Sequence, residues 1–353
     1  MTVKRPAHII VSGIQPSGQL HIGNFAGSLN NWLKLQNDPA YGCHFFIADY
    51  HSITENYDPA AKRRQVFDLA ANFLALGLDP KKCVLFVQSD VPEHTELCWI
   101  FNTVTPVSLL ERMTQYKDKS ARQQENVNMG LFDYPVLQAA DILMYKGDRV
   151  PVGRDQVQHV ELTRDVARFF NNKFGRTFPE AEPLLTETPK LKSLTDPLKK
   201  MSKSLGERSY IALTDEPEVI LAKIKSAVTE STGILTLTEE ELEHRLQLHD
   251  EAHQDEEALR GQAGVWNLLT LLRLCGDKKE ADRILAAQPI KYSELKQLVA
   301  KRVADRFADF RRKRKALAAK PEQVWAILAD GAKKARSVAK KTMKEVRKTI
   351  GLT

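Results

Sequence analysis

The stretch GIQPSGQLHIGN (residues 13–24) sets three glycines, a proline and a histidine between two apolar segments. On its amino side, HIIV (8–11) reads as a short buried strand. On its carboxyl side, Phe25, Leu29, Trp32, Leu33 and Leu35 read as a helix that begins near Ile22. A turn from strand to helix lies at the carboxyl edge of a parallel sheet, where such folds bind nucleotides. Pro16 and Gly18 shape the turn. Gly23 lets a ligand approach the helix start, whose unpaired N–H groups favour anions, and His21 stands where its imidazole can face a phosphate. From this stretch alone, an ordinary tight loop explains the glycines equally well.

The same alternation continues outward. CHFFIA (43–48) and CVLFVQ (83–88) read as further buried strands, and 59–78 as a helix closed by Gly77 and Asp79-Pro80. Helical patterns over 135–145 and 155–171 flank a short strand, RVPV (149–152). Strands alternating with helices imply a parallel sheet covered on its faces, hence an α/β, Rossmann-like fold. Beyond about residue 215 strand signals fade. Segments 216–228, 238–260, 263–275, 277–287, 293–315, 321–330 and 331–350 read as helices. A chain of 353 residues is too long for one core. The expected division is 1–209, an α/β domain ending in a lysine-rich loop, and 210–353, an all-helical domain. The last helix is a candidate to pack back on the first domain.

Composition narrows the class. The chain is 42% apolar and 27% charged, which fits a soluble globular protein, and no apolar run approaches the roughly 20 residues of a membrane span. MTVKRPAHIIVSG at the start reads as a strand and not as a secretory signal. Four scattered cysteines without a Cys-x-x-Cys pair point to buried reduced thiols and a cytoplasmic protein, with no zinc or iron–sulfur site. His244, His249 and His253 lie in an acidic run without an H-E-x-x-H pattern, which reads as a solvated face, so no metal site is expected. The net charge of +7 is uneven: residues 311–348 hold 14 Lys/Arg against 3 Asp/Glu, or +11, which leaves −4 for the rest. That balance suggests a polyanionic partner, with a solvated helix face as the alternative.

A second stretch carries chemistry. KMSKS (200–204) is preceded by DPLK and followed by Leu205-Gly206. Lysines three apart on a loop can clasp a departing pyrophosphate through charge alone. The other common phosphate loops, G-x-x-x-x-G-K-[ST] and G-x-G-x-x-G, are missing from the sequence. Together, HIGN (21–24) and KMSKS on a Rossmann-like frame resemble the two signatures of class I aminoacyl-tRNA synthetases. Within that class the chain resembles bacterial tryptophanyl-tRNA synthetases over nearly its whole length. The resemblance is carried by SGIQPSGQLHIGN, ADYHSIT, LERMTQYKDKS, DYPVLQAADILMY, VPVGRDQVQHVELTRDVARFFN, SLTDPLKKMSKS and GAKKARSVAKKTMKEVRKTIG.

Substrate choice can be read from one helix. Leu137, Ala140, Asp141 and Met144 share a face by i, i+3, i+4 spacing, so Asp141 lies within an apolar stripe. A buried carboxylate is costly unless it meets a donor. An arginine or a helix end could supply one; the resemblance instead implies the indole N–H of tryptophan. It also implies that Gln15, Pro16, Ser17, Gly23 and Asn24 surround ATP. Gly153, Arg154, Asp155 and Leu191 would lie at the adenosine, with Lys200, Met201, Ser202, Lys203 and Ser204 over the phosphates. Lys119 would approach the phosphates, and Tyr134 and Gln156 the ammonium group. His51, Val150 and Val152 would line the indole pocket, with ordinary core packing as the alternative. The chain has Arg154 where many relatives have Glu, Gln138 where Met is common, and Val11 where some have an aromatic residue.

The resemblance implies a two-step reaction. L-Tryptophan and Mg2+-bound ATP give tryptophanyl-adenylate and pyrophosphate, and the tryptophanyl group then passes to the 3′-terminal ribose of tRNA(Trp). Lys200, Lys203, Lys119 and His21 would be the catalytic residues, the helical domain would read the anticodon, and the protein would be a homodimer. Rival readings are a tyrosine-activating class I synthetase and a non-catalytic synthetase-like RNA-binding regulator.

Overall fold

The computed structural model describes residues 6–122, 126–185, 189–248 and 256–352. The chain forms two compact units. The first comprises Met1–Gly18, Asn30–Glu187 and Arg314–Thr353; the second comprises Gln19–Leu29 and Thr188–Lys313. Packing thus partitions the chain differently from a cut at 209: residues 19–29 group with the later segment, and the carboxyl-terminal segment groups with the sheet.

The first unit is built on a five-stranded parallel sheet in the order β3-β2-β1-β4-β5. Its strands are β1 (His8–Ile14), β2 (Tyr41–Ile47), β3 (Cys83–Val87), β4 (Arg149–Val152) and β5 (Glu182–Leu185). Strand order reverses between β1 and β4, so the crevice beyond their carboxyl ends is the topological switch point where such sheets bind ligands. Two segments leave the sheet there: Gln15–Gly18 after β1, with Gly18 at φ +92°, and the short 3-10 turn Arg154–Gln156 after β4. The four strands expected from sequence are present. β5 is present without a sequence signal, because EPLL is a four-residue edge strand whose Pro183 breaks the strand signature; edges tolerate proline.

The longer helices of this unit include α1 (Pro59–Leu76), α2 (Glu93–Asn102), α3 (Met129–Met144), α4 (Val157–Phe174) and α5 (Pro321–Ile350). α1 starts where Asp58 accepts the Ala60 N–H and stops at Gly77, whose φ of +108° suits glycine. α5 is one helix where the sequence reads as two, 321–330 and 331–350. Gly331 lies against β3 so closely that an added Cβ would stand 1.8 Å from the Leu85 carbonyl oxygen. The glycine that looks like a helix break is the contact that lets helix and strand meet. No described helix is long and apolar enough to cross a membrane.

In the second unit the backbones of Leu20 and Ile22 are hydrogen-bonded to those of Leu213 and Ile211, both at 3.0 Å. Its helices include Pro217–Lys225, Glu239–Leu248, Glu256–Cys275, Lys278–Ala286 and Tyr292–Arg306. They close over buried Leu268, Leu269, Leu272, Val299 and Val303. The single helix expected over 293–315 is instead two, Tyr292–Arg306 and Ala308–Ala318, separated at buried Phe307. The segment that holds His249 and His253 lies outside the described residues.

Candidate active site

Asp141 sits on α3, which begins at Asn128, whose side-chain oxygen accepts the Leu131 N–H at 3.0 Å. The helix turns Asp141 inward to 1% exposure. Its Oδ1 accepts from Gln88 Nε2 at 2.8 Å and from His94 Nδ1 at 2.5 Å. Its Oδ2 accepts from His51 Nε2 at 2.7 Å and from the same Gln88 nitrogen at 3.0 Å. The Gln88 amide is oriented by its oxygen, which accepts the Tyr50 N–H at 3.1 Å. Burial pushes the Asp141 carboxyl up, the hydrogen bonds from His51 and His94 oppose it, and the group lies below the usual carboxylate range. The partners are therefore two imidazoles and an amide, where a bare reading of the sequence allowed an arginine or a helix end.

Around this group stand other expected residues. The His51 and Tyr134 rings meet edge to face, 6.2 Å between centres. Tyr134 Oη lies 2.9 Å from His159 Nε2. Burial and then the charge of Glu55 push the Tyr134 phenol up to about 12, so it keeps its proton. Lys119 lies 4.9 Å from the Tyr134 ring centre and pairs with Glu55 at 2.9 Å. Val150 is buried on β4 and Val152 half-buried. Gly153 opens the turn in which Gln156 N–H reaches the Gly153 carbonyl at 3.0 Å; Arg154 is exposed, and the Asp155 side chain lies outside the described residues. In the loop after β1, the Ser17 N–H meets the Gln15 carbonyl at 2.9 Å and Pro16 is buried.

The remaining expected residues assemble in the second unit. His21 caps the helix start Ile22–Asn24: its Nδ1 accepts the Gly23 N–H at 3.1 Å, and Asn24 Oδ1 accepts the His21 N–H at 3.0 Å. A Cβ on Gly23 would come within 2.9 Å of the His21 ring, so glycine here makes room for the histidine cap. The same point is 3.8 Å from Met201 Cβ, so the HIGN and KMSKS segments are adjacent. His21 also bridges to Ala212. Burial, then the charges of Lys203 and Lys200, bring the His21 imidazole down to about 4. It is neutral near pH 7, and with Nδ1 accepting, the proton is on Nε2. Burial also lowers the Lys203 ammonium from its ordinary value.

The lysine loop is braced from both sides. Met201 N–H reaches the Leu191 carbonyl at 3.0 Å, and Ser193 N–H the Lys199 carbonyl at 2.9 Å. Asn267 clamps the Lys192 backbone with 2.8 and 2.9 Å bonds. Ser202 caps the turn Lys203–Leu205, its hydroxyl 2.8 Å from that of Ser204, and Ser209 Oγ donates to the Ser202 carbonyl at 2.7 Å. Sequence reasoning missed Gln88, His94, Tyr145, His159, Ser209 and Asn267. Gln88 alone gave a signal, a polar residue ending a buried apolar run at the carboxyl end of a strand.

In class, this is a Rossmann-like α/β protein whose histidine-capped helix terminus and two-lysine loop are suited to a polyphosphate. A family model described as tRNA synthetases class I (W and Y) matches residues 4–308. The tryptophan–tRNA ligase of Clostridium perfringens is 41% identical over 348 residues, 98% of this chain and 97% of that one. Among solved structures, tryptophanyl-tRNA synthetase from Campylobacter jejuni complexed with ADP and tryptophan aligns with a TM-score of 0.79 at 34% identity, covering 97% of this chain and 99% of that one. The tryptophanyl-tRNA synthetase from Mycoplasma pneumoniae gives 0.80 at 32%, covering 98% of each. The chain belongs to the class I tRNA synthetases of the tryptophan and tyrosine type.

Proposed function

We propose that the chain is a tryptophan–tRNA ligase. The carboxylate of bound L-tryptophan attacks the α-phosphorus of Mg-ATP, pyrophosphate leaves, and the tryptophanyl group passes to the 3′-terminal ribose of tRNA(Trp). No side chain acts as a covalent nucleophile. Rate comes from alignment and from positive charge placed where the leaving phosphates gain negative charge. Lys200 and Lys203 hold those phosphates, aided by Lys119, whose partner Glu55 is exchanged for the nucleotide. Neutral His21 donates from Nε2 to a phosphate oxygen, and Asn24 steadies the helix start beneath it. Gln15, Pro16, Ser17, Gly153, Arg154, Asp155 and Leu191 surround ATP, with Met201, Ser202 and Ser204 in the closing loop.

Tryptophan is selected at Asp141. A carboxylate offers about four acceptor sites, and three donor groups reach it through four hydrogen bonds, so the indole N–H would take the place of one of these contacts. Tyr134 and Gln156 take the ammonium group; His51, Val150 and Val152 wall the ring. A site built around such a bond rejects an amino acid that lacks the donor by roughly 10⁴–10⁵ without editing. The helical segment following the lysine loop reads the tRNA anticodon, and the protein works in the cytoplasm. It works as a homodimer, a reading supported by large apolar side chains left uncovered, Trp99 at 72% and Met129 at 73% exposed.

The single observation that carries this reading is the adjacency of the HIGN and KMSKS segments around a buried neutral histidine. Amino-acid-dependent exchange of pyrophosphate into ATP, run with each of the twenty amino acids, tests it. Exchange should occur with tryptophan. Exchange with tyrosine alone would make this a tyrosine-activating enzyme, and no exchange at all would leave an RNA-binding regulator.

A further inference from the structure

Behind Asp141 lies a buried relay that the reaction as described does not use. His94 is 0% exposed; its Nδ1 meets Asp141 Oδ1 at 2.5 Å and its Nε2 meets Tyr145 Oη at 2.7 Å. Tyr145 follows α3 and is itself buried, stacked on His44 with 4.7 Å between ring centres and edge-on to Phe86 at 5.6 Å. Burial, then the charges of Asp141 and Glu93, push its phenol far above the ordinary range, so Tyr145 keeps its proton. At 2.7 Å the phenol oxygen and the imidazole nitrogen share one hydrogen, which either can carry. With Tyr145 as the donor, His94 Nε2 is unprotonated and the ring's one proton is on Nδ1, aimed at the carboxylate.

The electrostatic consequence is specific. A neutral His94 orients Asp141 without neutralising it, so the carboxylate keeps its full charge for another donor. An imidazolium there would form an ion pair and weaken the acceptor. We infer that His94 and Tyr145 are positioning residues for tryptophan selectivity: Tyr145 locks His94 as the neutral Nδ1–H tautomer, and the pair holds Asp141 as a charged, fixed acceptor for the indole N–H. The inference rests on the reading of Asp141 as the indole acceptor.

The test compares tryptophan with β-(3-benzothienyl)alanine, in which sulfur replaces the indole N–H, in pyrophosphate exchange by the full-length protein. The unaltered protein should prefer tryptophan. In Tyr145→Phe that preference should fall about tenfold or more through a higher KM for tryptophan, with the KM for ATP unchanged and the sulfur analogue used as before. His94→Gln, whose amide can still donate to Asp141, should keep part of it. An unchanged preference in both variants, or equal loss with both amino acids, overturns the inference. Nitrogen NMR of labelled histidine in the unaltered protein reads the tautomer directly, so the idea stands or falls even where a variant does not fold. A neutral Nδ1–H His94 supports it; an imidazolium or an Nε2–H form overturns it. A protein that activates tryptophan yet shows no preference over the sulfur analogue would overturn the reading of Asp141 itself, a result distinct from failure of the relay.

Discussion

Asp141 and His21 are both removed from water, and they solve the cost in opposite ways. Asp141 keeps its charge because three donor groups converge on it. Asp141→Asn keeps the shape but places an N–H2 against one of those donors. The KM for tryptophan should rise about 100-fold while the KM for ATP stays within about twofold, as read by pyrophosphate exchange with each substrate varied in turn. His21 gives up its charge: its folded pKa is about 4 against an ordinary 6.5. Between those values the unfolded chain binds more protons than the folded one, so stability rises with pH across that window. The stabilisation is complete above pH 6.5 and is lost as pH falls through 4. His44, whose imidazole burial also lowers to about 4, acts in the same direction. Urea unfolding at a series of pH values should therefore show falling stability below neutrality. The slope should be shallower in His21→Asn, which can still cap the helix start but does not titrate.

At the level of elements, the contact of α5 with β3 is the least forgiving. Any side chain at position 331 would drive a carbon into the Leu85 carbonyl oxygen, which is 1.8 Å from where a Cβ would stand. Gly331→Ala should cost about 3 kcal/mol or more, because backbone must move from backbone, although alanine raises helix propensity. Ser337→Ala on the exposed face of the same helix should change stability by less than about 0.5 kcal/mol, so thermal unfolding of the two variants separates packing from propensity. This contact also explains what could be read from the sequence. β1 to β4 were legible because apolar runs are bounded by turn residues, and the start near Ile22 because the glycine- and proline-rich turn gives way there to an apolar helical pattern. Gly331 was read as a boundary because its reason lies in a strand far away in sequence. The candidate site divides in the same way. His21, Lys200, Lys203 and Asp141 stand in local patterns that announce them. Gln88, His94 and Tyr145 are single polar residues whose partners lie 47 to 53 positions away, a relation that only the fold creates.

For the molecule as a whole, the excess of positive charge over 311–348 separates into two parts. Some of it is internal: Arg336 pairs with Glu93 at 3.0 Å and Arg347 with Glu96 at 2.5 Å, which fastens α5 to α2, while Arg314 pairs with Asp68 on α1. Lys340, Lys341 and Lys344 instead point to solvent on α5. The paired arginines hold the sheet unit together, whereas exposed lysines are free to displace counterions from a polyanion. If tRNA lies along this face, the logarithm of its affinity should fall linearly with the logarithm of salt concentration, by about 0.7–0.9 for each phosphate neutralised. Replacing Lys340, Lys341 and Lys344 together by Gln should lower that slope by about two to three. Tryptophan-dependent pyrophosphate exchange should be unchanged, since that half-reaction needs no tRNA. Arg347→Gln should do the reverse, lowering the unfolding temperature with little effect on the salt slope. Filter binding of tRNA at several salt concentrations, beside thermal unfolding of each variant, decides it: an unaltered slope in the lysine variant would mean that this face is solvated and that RNA binds elsewhere.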